Sequence, residues 1–256
     1  MNTDLGAVAF GLAASCSWGA ADFSGGVATR RAPVGSVVVA TQAIGLVLFI
    51  VLAAALPQPF PSPPDLLWDA AAGVADTVGL LAFYRALAVG RMGIAAPMTA
   101  VLTAATPTLF GAFFQGVPPP LHLAGFVLAV LAVWLLSRSE GTRGHEAFRG
   151  LAVLAGLSFG GFLILIDQGA HTTIFWPLAV ARTVSFLFLL ISILLRRQPL
   201  LPQRTAWLPV GVVGLFDAGG SICFVLAAHA GRLDVATILS SLYPAITALL
   251  SSSEKR

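Results

Sequence analysis

The 256 residues are 57% hydrophobic and 10% charged, with a mean hydropathy of +0.91; that balance excludes a water-soluble globular domain and points to an integral membrane protein. The net charge of +3 does not mark a nucleic-acid groove, because the basic residues fall almost entirely between apolar runs, where they act as topology signals. Cys16 and Cys223 each sit inside an apolar run with no CxxC pair and no histidine at ligand spacing. They read as small packing residues, and no metal or other cofactor is expected.

A hydrocarbon core about 30 Å thick needs roughly 20 residues of helix, and nine apolar runs approach that length. The first, 5 to 27, has no basic leader, carries Asp4 and is followed by further runs, so it reads as a true span and not a cleaved signal. Ser15, Trp18 and Asp22 share one of its faces by i+3 and i+4 spacing. The second run, 34 to 56, holds no charge and contains the polar pair Thr41 and Gln42. The segment PQPFPSPP at 57 to 64 is too proline-rich for helix, and the third run, 66 to 89, then carries Asp69, Asp76 and Arg85. The fourth, 93 to 115, combines Pro97 and Pro107 with Thr99, Thr103 and Thr106, and PPP at 118 to 120 opens the fifth, 120 to 137.

The longest polar link runs from Ser137 to Gly150 and divides the chain into a first unit of residues 1–138 and a second of 149–256. The second unit contains runs at 149 to 169, 174 to 195 with Arg182, 206 to 230 with Asp217 and Ser221, and 235 to 252 with Ser240, Tyr243 and Pro244. Arg30, Arg31, Arg91, Arg138, Arg143, Arg149, Arg196, Arg197, Arg204, Lys255 and Arg256 fall on one side of this arrangement, against Arg232 alone on the other. Basic links resist translocation, so the count puts the links after odd-numbered spans in the cytoplasm and the N-terminus outside.

Residues 73 to 95 align without gaps to residues 214 to 236, and eight of the 23 positions are identical, among them Asp76 with Asp217 and Gly90-Arg91 with Gly231-Arg232. The two copies lie five spans apart, an odd number, so the second unit must be inserted upside down relative to the first. Inverted repeats of this kind underlie alternating access, with solute held near the midplane where the units meet.

The motif SWGAADFSGGVATRR at 17 to 31, the repeated third-span sequences, and the endings TAATPTLFGAFF at 103 to 114 and SSLYPAITALL at 240 to 250 resemble, in order and spacing, the EamA family of the drug/metabolite transporter superfamily. The resemblance covers essentially the whole chain. It implies an all-α polytopic membrane protein of two inverted five-helix repeats, working as a secondary transporter without ATP, often as an exporter of amino acids or other metabolites. Three features depart from the family pattern. Carrying the first repeat across by its offset of 141 residues places the end of the second near residue 278, so about nine helices are expected here and the tenth is missing. The family's glutamate and arginine after the fourth helix have no counterpart in QGVPPP at 115 to 120. The family is also commonly drawn with its N-terminus in the cytoplasm.

Charge inside a span needs a reason, since it costs roughly 2.5–3.5 kcal/mol at helix centre on insertion scales. Asp76 and Asp217, at equivalent repeat positions, are the leading candidates for proton exchange; a helix–helix hydrogen bond without a mechanistic part is the alternative. Arg182 resembles an arginine that the family often places in this helix. It could pair with an acid, hold a solute carboxylate bidentately, or snorkel to the interface. Its first-unit counterpart is Thr41 or Gln42. Trp18, Asp22, Ser221 and Tyr243 complete the candidate set, with Asp22 equally readable as a solvated interfacial acid and Trp18 as a packing residue. Tyr84, Arg85, Asp167, Gln168 and His229 lie nearer helix ends and read as interfacial anchors. Gly11, Ser15 and Gly19, with Gly156 and Gly160, form small-residue seams.

These readings lead to a carrier of a small metabolite in the cytoplasmic membrane, its partners being the solute and the lipid bilayer. No HExxH, GxSxG or Walker A motif is present, which argues against an enzyme. The competing expectations are a truncated, inactive or accessory membrane protein, a homodimer or partner chain that supplies the missing helix, and a small-solute channel.

Overall fold

The computed structural model describes residues 3–89, 92–114, 146–170, 173–230 and 233–253. Its helices are α1 (Thr3–Thr29), α2 (Val34–Ala55), α3 (Pro63–Val89), α4 (Met92–Phe114), α5 (Glu146–Gly169), α6 (Phe175–Leu195), α7 (Trp207–Ala230), α8 (Leu233–Ser240) and α9 (Tyr243–Ser253), with one 3₁₀ turn at Arg204–Ala206. No strand occurs among the described residues. The expected span at 120 to 137 lies outside them, as do Arg91 and Arg232.

Local chemistry explains the breaks. Pro33, extended at φ −56° and ψ 137°, ends the turn after α1 and opens α2. Pro63 and Pro64 begin α3, where a missing N–H costs nothing, and the Asp65 carboxylate accepts from the Ser62 N–H at 3.3 Å and the Ser62 hydroxyl at 2.6 Å. The ninth span differs from expectation, since it is two helices separated at Ser241–Leu242. Pro244 has no N–H to give to the carbonyl four residues earlier, and the chain instead turns by hydrogen bonds from Leu242 N to Leu239 O and Ala245 N to Leu242 O. In α4 the two interior prolines are accommodated without a break. There Thr103, Thr106 and Thr108 return their hydroxyls to the carbonyls of Thr99, Leu102 and Ala104 at 2.7–2.9 Å.

Five of these helices are long and apolar enough to cross a membrane: α2, α3, residues 149–169 of α5, α6, and the stretch from Arg204 through α7. α1, with 27 residues, is about 40 Å long. Leu67, Leu187, Leu194, Leu195, Leu208 and Leu215 stand exposed on the outer surface, which only a lipid solvent makes favourable.

The packing pattern is twofold. α1 lies along α7 as α5 lies along α3; α2 meets α7 as α6 meets α3; α4 packs on α5 as α8 and α9 pack on α1; and α2 faces α6. Each contact maps onto its partner when first- and second-unit helices are exchanged. The match extends to side chains, because a Cβ added at Gly79 would stand 2.6 Å from the Phe159 ring and one at Gly220 2.5 Å from the Trp18 ring. Phe159 and Trp18 are themselves 141 positions apart. The small-residue seams lie at such crossings, with Gly19 against Ile246 and Gly156 against Leu102.

Candidate functional site

Where α2, α3, α6 and α7 converge, the buried side chain of Arg182, only 4% exposed, reaches across the interface between the units. Its Nη1 donates to Asp76 Oδ2 at 3.0 Å and to Gln42 Oε1. Its Nη2 donates to Asp217 Oδ2 and lies 3.4 Å from Ser221 Oγ. Gln42 Nε2 donates in turn to Asp76 Oδ2 at 2.7 Å. The Ser185 hydroxyl donates to the Gly73 carbonyl at 2.7 Å and stands 3.5 Å from the same carboxylate oxygen. Gly45 lies alongside the arginine, where a Cβ would make ordinary contact with Nε at 3.6 Å, and Phe49 covers the guanidinium at 5.8 Å from ring centroid to Cζ. The helices must approach closely for this to close, and a Cβ at Gly73 would overlap the backbone carbonyl of Ala181.

The result is one guanidinium shared by two aspartates from equivalent places in the two units. Charge-assisted bonds of this kind are roughly twice as strong as neutral ones. In so dry a setting, loss of one partner leaves an uncompensated buried charge. Of the alternatives open at Arg182, the geometry realises the acidic pair; the side chain does not snorkel.

Beside this network lies a cavity of about 490 Å³, counted with its open mouth, lined by Trp18, Asp22, Asp76, Asp217, Ser221 and Tyr243 on its polar wall. Leu80, Phe159, Phe162 and Leu163 form the apolar wall, and Thr103 adds a hydroxyl. Trp18 is held in place by its indole N–H, which donates to the Asp217 carbonyl at 3.3 Å, while the neighbouring Ser17 hydroxyl donates to the Phe216 carbonyl at 2.7 Å. All eight residues singled out from the sequence therefore meet in one place: Gln42, Asp76, Arg182, Asp217 and Ser221 in the network, and Trp18, Asp22 and Tyr243 on the cavity wall. Asp22 is half-buried with its Oδ2 dry and without a hydrogen-bond partner, so it faces the cavity and not an aqueous interface.

Tyr84 corrects a sequence expectation. It is 1% exposed, with its ring in the notch left by Gly25, where a Cβ would come within 2.6 Å of the hydroxyl oxygen. An interfacial anchor it is not; Arg85 beside it is exposed as expected. The apolar wall was missed because no polar residue marks it, although the repeat offset carries Trp18 onto Phe159 and Asp22 onto Leu163. Asp69 is also buried, with neither carboxylate oxygen hydrogen-bonded, at the far end of α3 beside Gly169. Among the described residues no group of three or more His, Cys, Asp or Glu side chains is placed to hold a metal.

Residues 5–138 and 150–253 match the model of the EamA-like transporter family. The chain belongs to that family. As an EamA-like protein it is a multi-pass membrane protein and a transporter of small solutes. A solved structure described as "Crystal structure of protein" superposes with a TM-score of 0.74 at 19% identity, covering 97% of this chain and 88% of that one. At that identity the likeness shows that the two share a fold. No curated protein matches the EamA-like chain.

Proposed function

We propose that the protein is a secondary carrier of the cytoplasmic membrane that moves a small metabolite by alternating access, with residues 1–138 and 149–256 as two opposed repeat units. The observation that carries this reading is the position of Arg182, donating at once to Asp76 from one unit and to Asp217 from the other. A cation held between two equivalent carboxylates is a bistable element, because neutralising either acid leaves it bound to the other. Proton binding at one aspartate would then bias the contact between units, and solute movement through the adjoining cavity would be coupled to proton movement. Direction is taken as export, as the resemblance implies.

The test is counterflow of radiolabelled small metabolites in proteoliposomes, run over a range of pH for the parent chain, Asp76→Asn and Asp217→Asn. Counterflow separates a carrier from a channel, since a channel gives no transient accumulation. Each variant should lose or flatten the pH dependence. If both variants transport as the parent does at every pH, proton coupling through these aspartates is wrong.

A further inference from the structure

The charge facing the cavity is one-sided. Asp22, Asp76 and Asp217 line it, and among the described residues no positively charged side chain does. Arg182 stands behind the aspartates, with both terminal nitrogens already occupied by Gln42, Asp76, Asp217 and Ser221. It has little left to offer a solute carboxylate, and an incoming anion would meet three acids first. The aspartates, by contrast, are half used. Gln42, Arg182 and Ser185 all approach Oδ2 of Asp76, and Arg182 approaches Oδ2 of Asp217, so the Oδ1 atom of each has no hydrogen-bond partner among the described residues. Oδ2 of Asp22 is likewise unpartnered.

Resting on the carrier reading above, we infer that the solute this cavity accepts is a cation: a primary or substituted ammonium on a small, partly apolar frame. The ammonium is held by Asp22 together with the free oxygens of Asp76 and Asp217. Trp18, Phe159, Phe162 and Tyr243 surround the same space, and aromatic faces attract an ammonium while packing against its carbon frame. Three carboxyl groups beside one guanidinium give the empty site more acid than base, and a bound ammonium supplies the counter-charge that lets a further carboxyl ionise in an apolar setting. A bare carboxylate solute would add to the excess. A zwitterion would gain at its ammonium and lose at its carboxylate, which places it between the two.

The test uses three radiolabelled probes on one frame, phenethylamine, phenylalanine and 3-phenylpropionate, measured by equilibrium binding to the full chain in detergent. Phenethylamine should bind at least tenfold more tightly than 3-phenylpropionate, with phenylalanine between them. Asp22→Asn should weaken phenethylamine at least fivefold, as much as Asp22→Ala does, and should leave the melting temperature of the protein within about 2 °C of the parent, which separates lost recognition from lost fold. Equal or tighter binding of 3-phenylpropionate overturns the inference, as does a smaller effect of Asp22→Asn. Absence of binding by all three probes also overturns it. In that case counterflow of other metabolites shows whether the carrier reading survives: transport that persists confines the failure to the charge of the solute.

Discussion

Replacing Arg182 by methionine removes the charge and keeps much of the volume, leaving Asp76 and Asp217 facing each other without their cation. Breaking a buried ion pair by removing one partner costs about 3–5 kcal/mol, because the remaining charge is stranded. The side chain of Asp76 is 8% exposed and that of Asp217 21%, so water compensates in part at Asp217 and the lower end of that range applies. For a chain of this length about 3 kcal/mol corresponds to a fall of roughly 6–12 °C in melting temperature. Differential scanning fluorimetry of the purified protein in detergent measures it. The triple variant Arg182→Met, Asp76→Asn, Asp217→Asn strands no charge and is expected to recover at least half of the loss. A single variant that melts within about 2 °C of the parent, or a triple variant no better than the single, would refute the stranded-charge account.

Gln42→Leu removes the donor to Asp76 and the acceptor for Arg182 together, and should destabilise the protein by about 1–3 kcal/mol in the same melting assay. Gly73→Ala forces a methyl group onto the Ala181 carbonyl, a backbone atom that cannot rotate away, with an expected cost of about 1–3 kcal/mol. Gly161→Ala has open space around it and should be neutral or raise the melting temperature slightly, as helix propensity dictates. Tyr84→Ala should cost about 3–5 kcal/mol as a buried aromatic truncation, whereas Arg85→Ala on the exposed face should stay within about 0.5 kcal/mol. Equal effects of these two would restore the interfacial reading of Tyr84.

Much of the site was legible because charge inside an apolar run is rare enough to stand out. Asp76, Asp217 and Arg182 are each the kind of residue that a lipid-facing helix rejects, so the sequence marked each as a candidate while leaving the partner of Arg182 open between an acid, a solute carboxylate and the interface. The repeat offset added the equivalence of the two aspartates. Residues without charge carried no such mark. Phe159, Phe162, Leu80 and Leu163 are ordinary span residues until a neighbouring helix is placed beside them, and Tyr84 near a helix end reads as an anchor until Gly25 is seen to make room for it. The break at Ser241–Leu242 was foreshadowed by Pro244, but apolar length outweighed the proline in the reading of a single span.

Sequence alone determined the solvent, the approximate helix limits and the twofold character of the chain, because hydropathy over some 20 residues, proline placement and an alignment between residues 73–95 and 214–236 are all properties of the linear order. Which charges neutralise one another is not such a property. Arg182 meets Asp76 across 106 positions and Asp217 across 35, and only the crossing of α2, α3, α6 and α7 decides that its hydrogen-bond donors turn toward these acids and away from the cavity. That orientation decides among the readings the sequence left open, because a guanidinium whose terminal nitrogens are taken up by Gln42, Asp76, Asp217 and Ser221 leaves the aspartates, not itself, on the wall of the binding space.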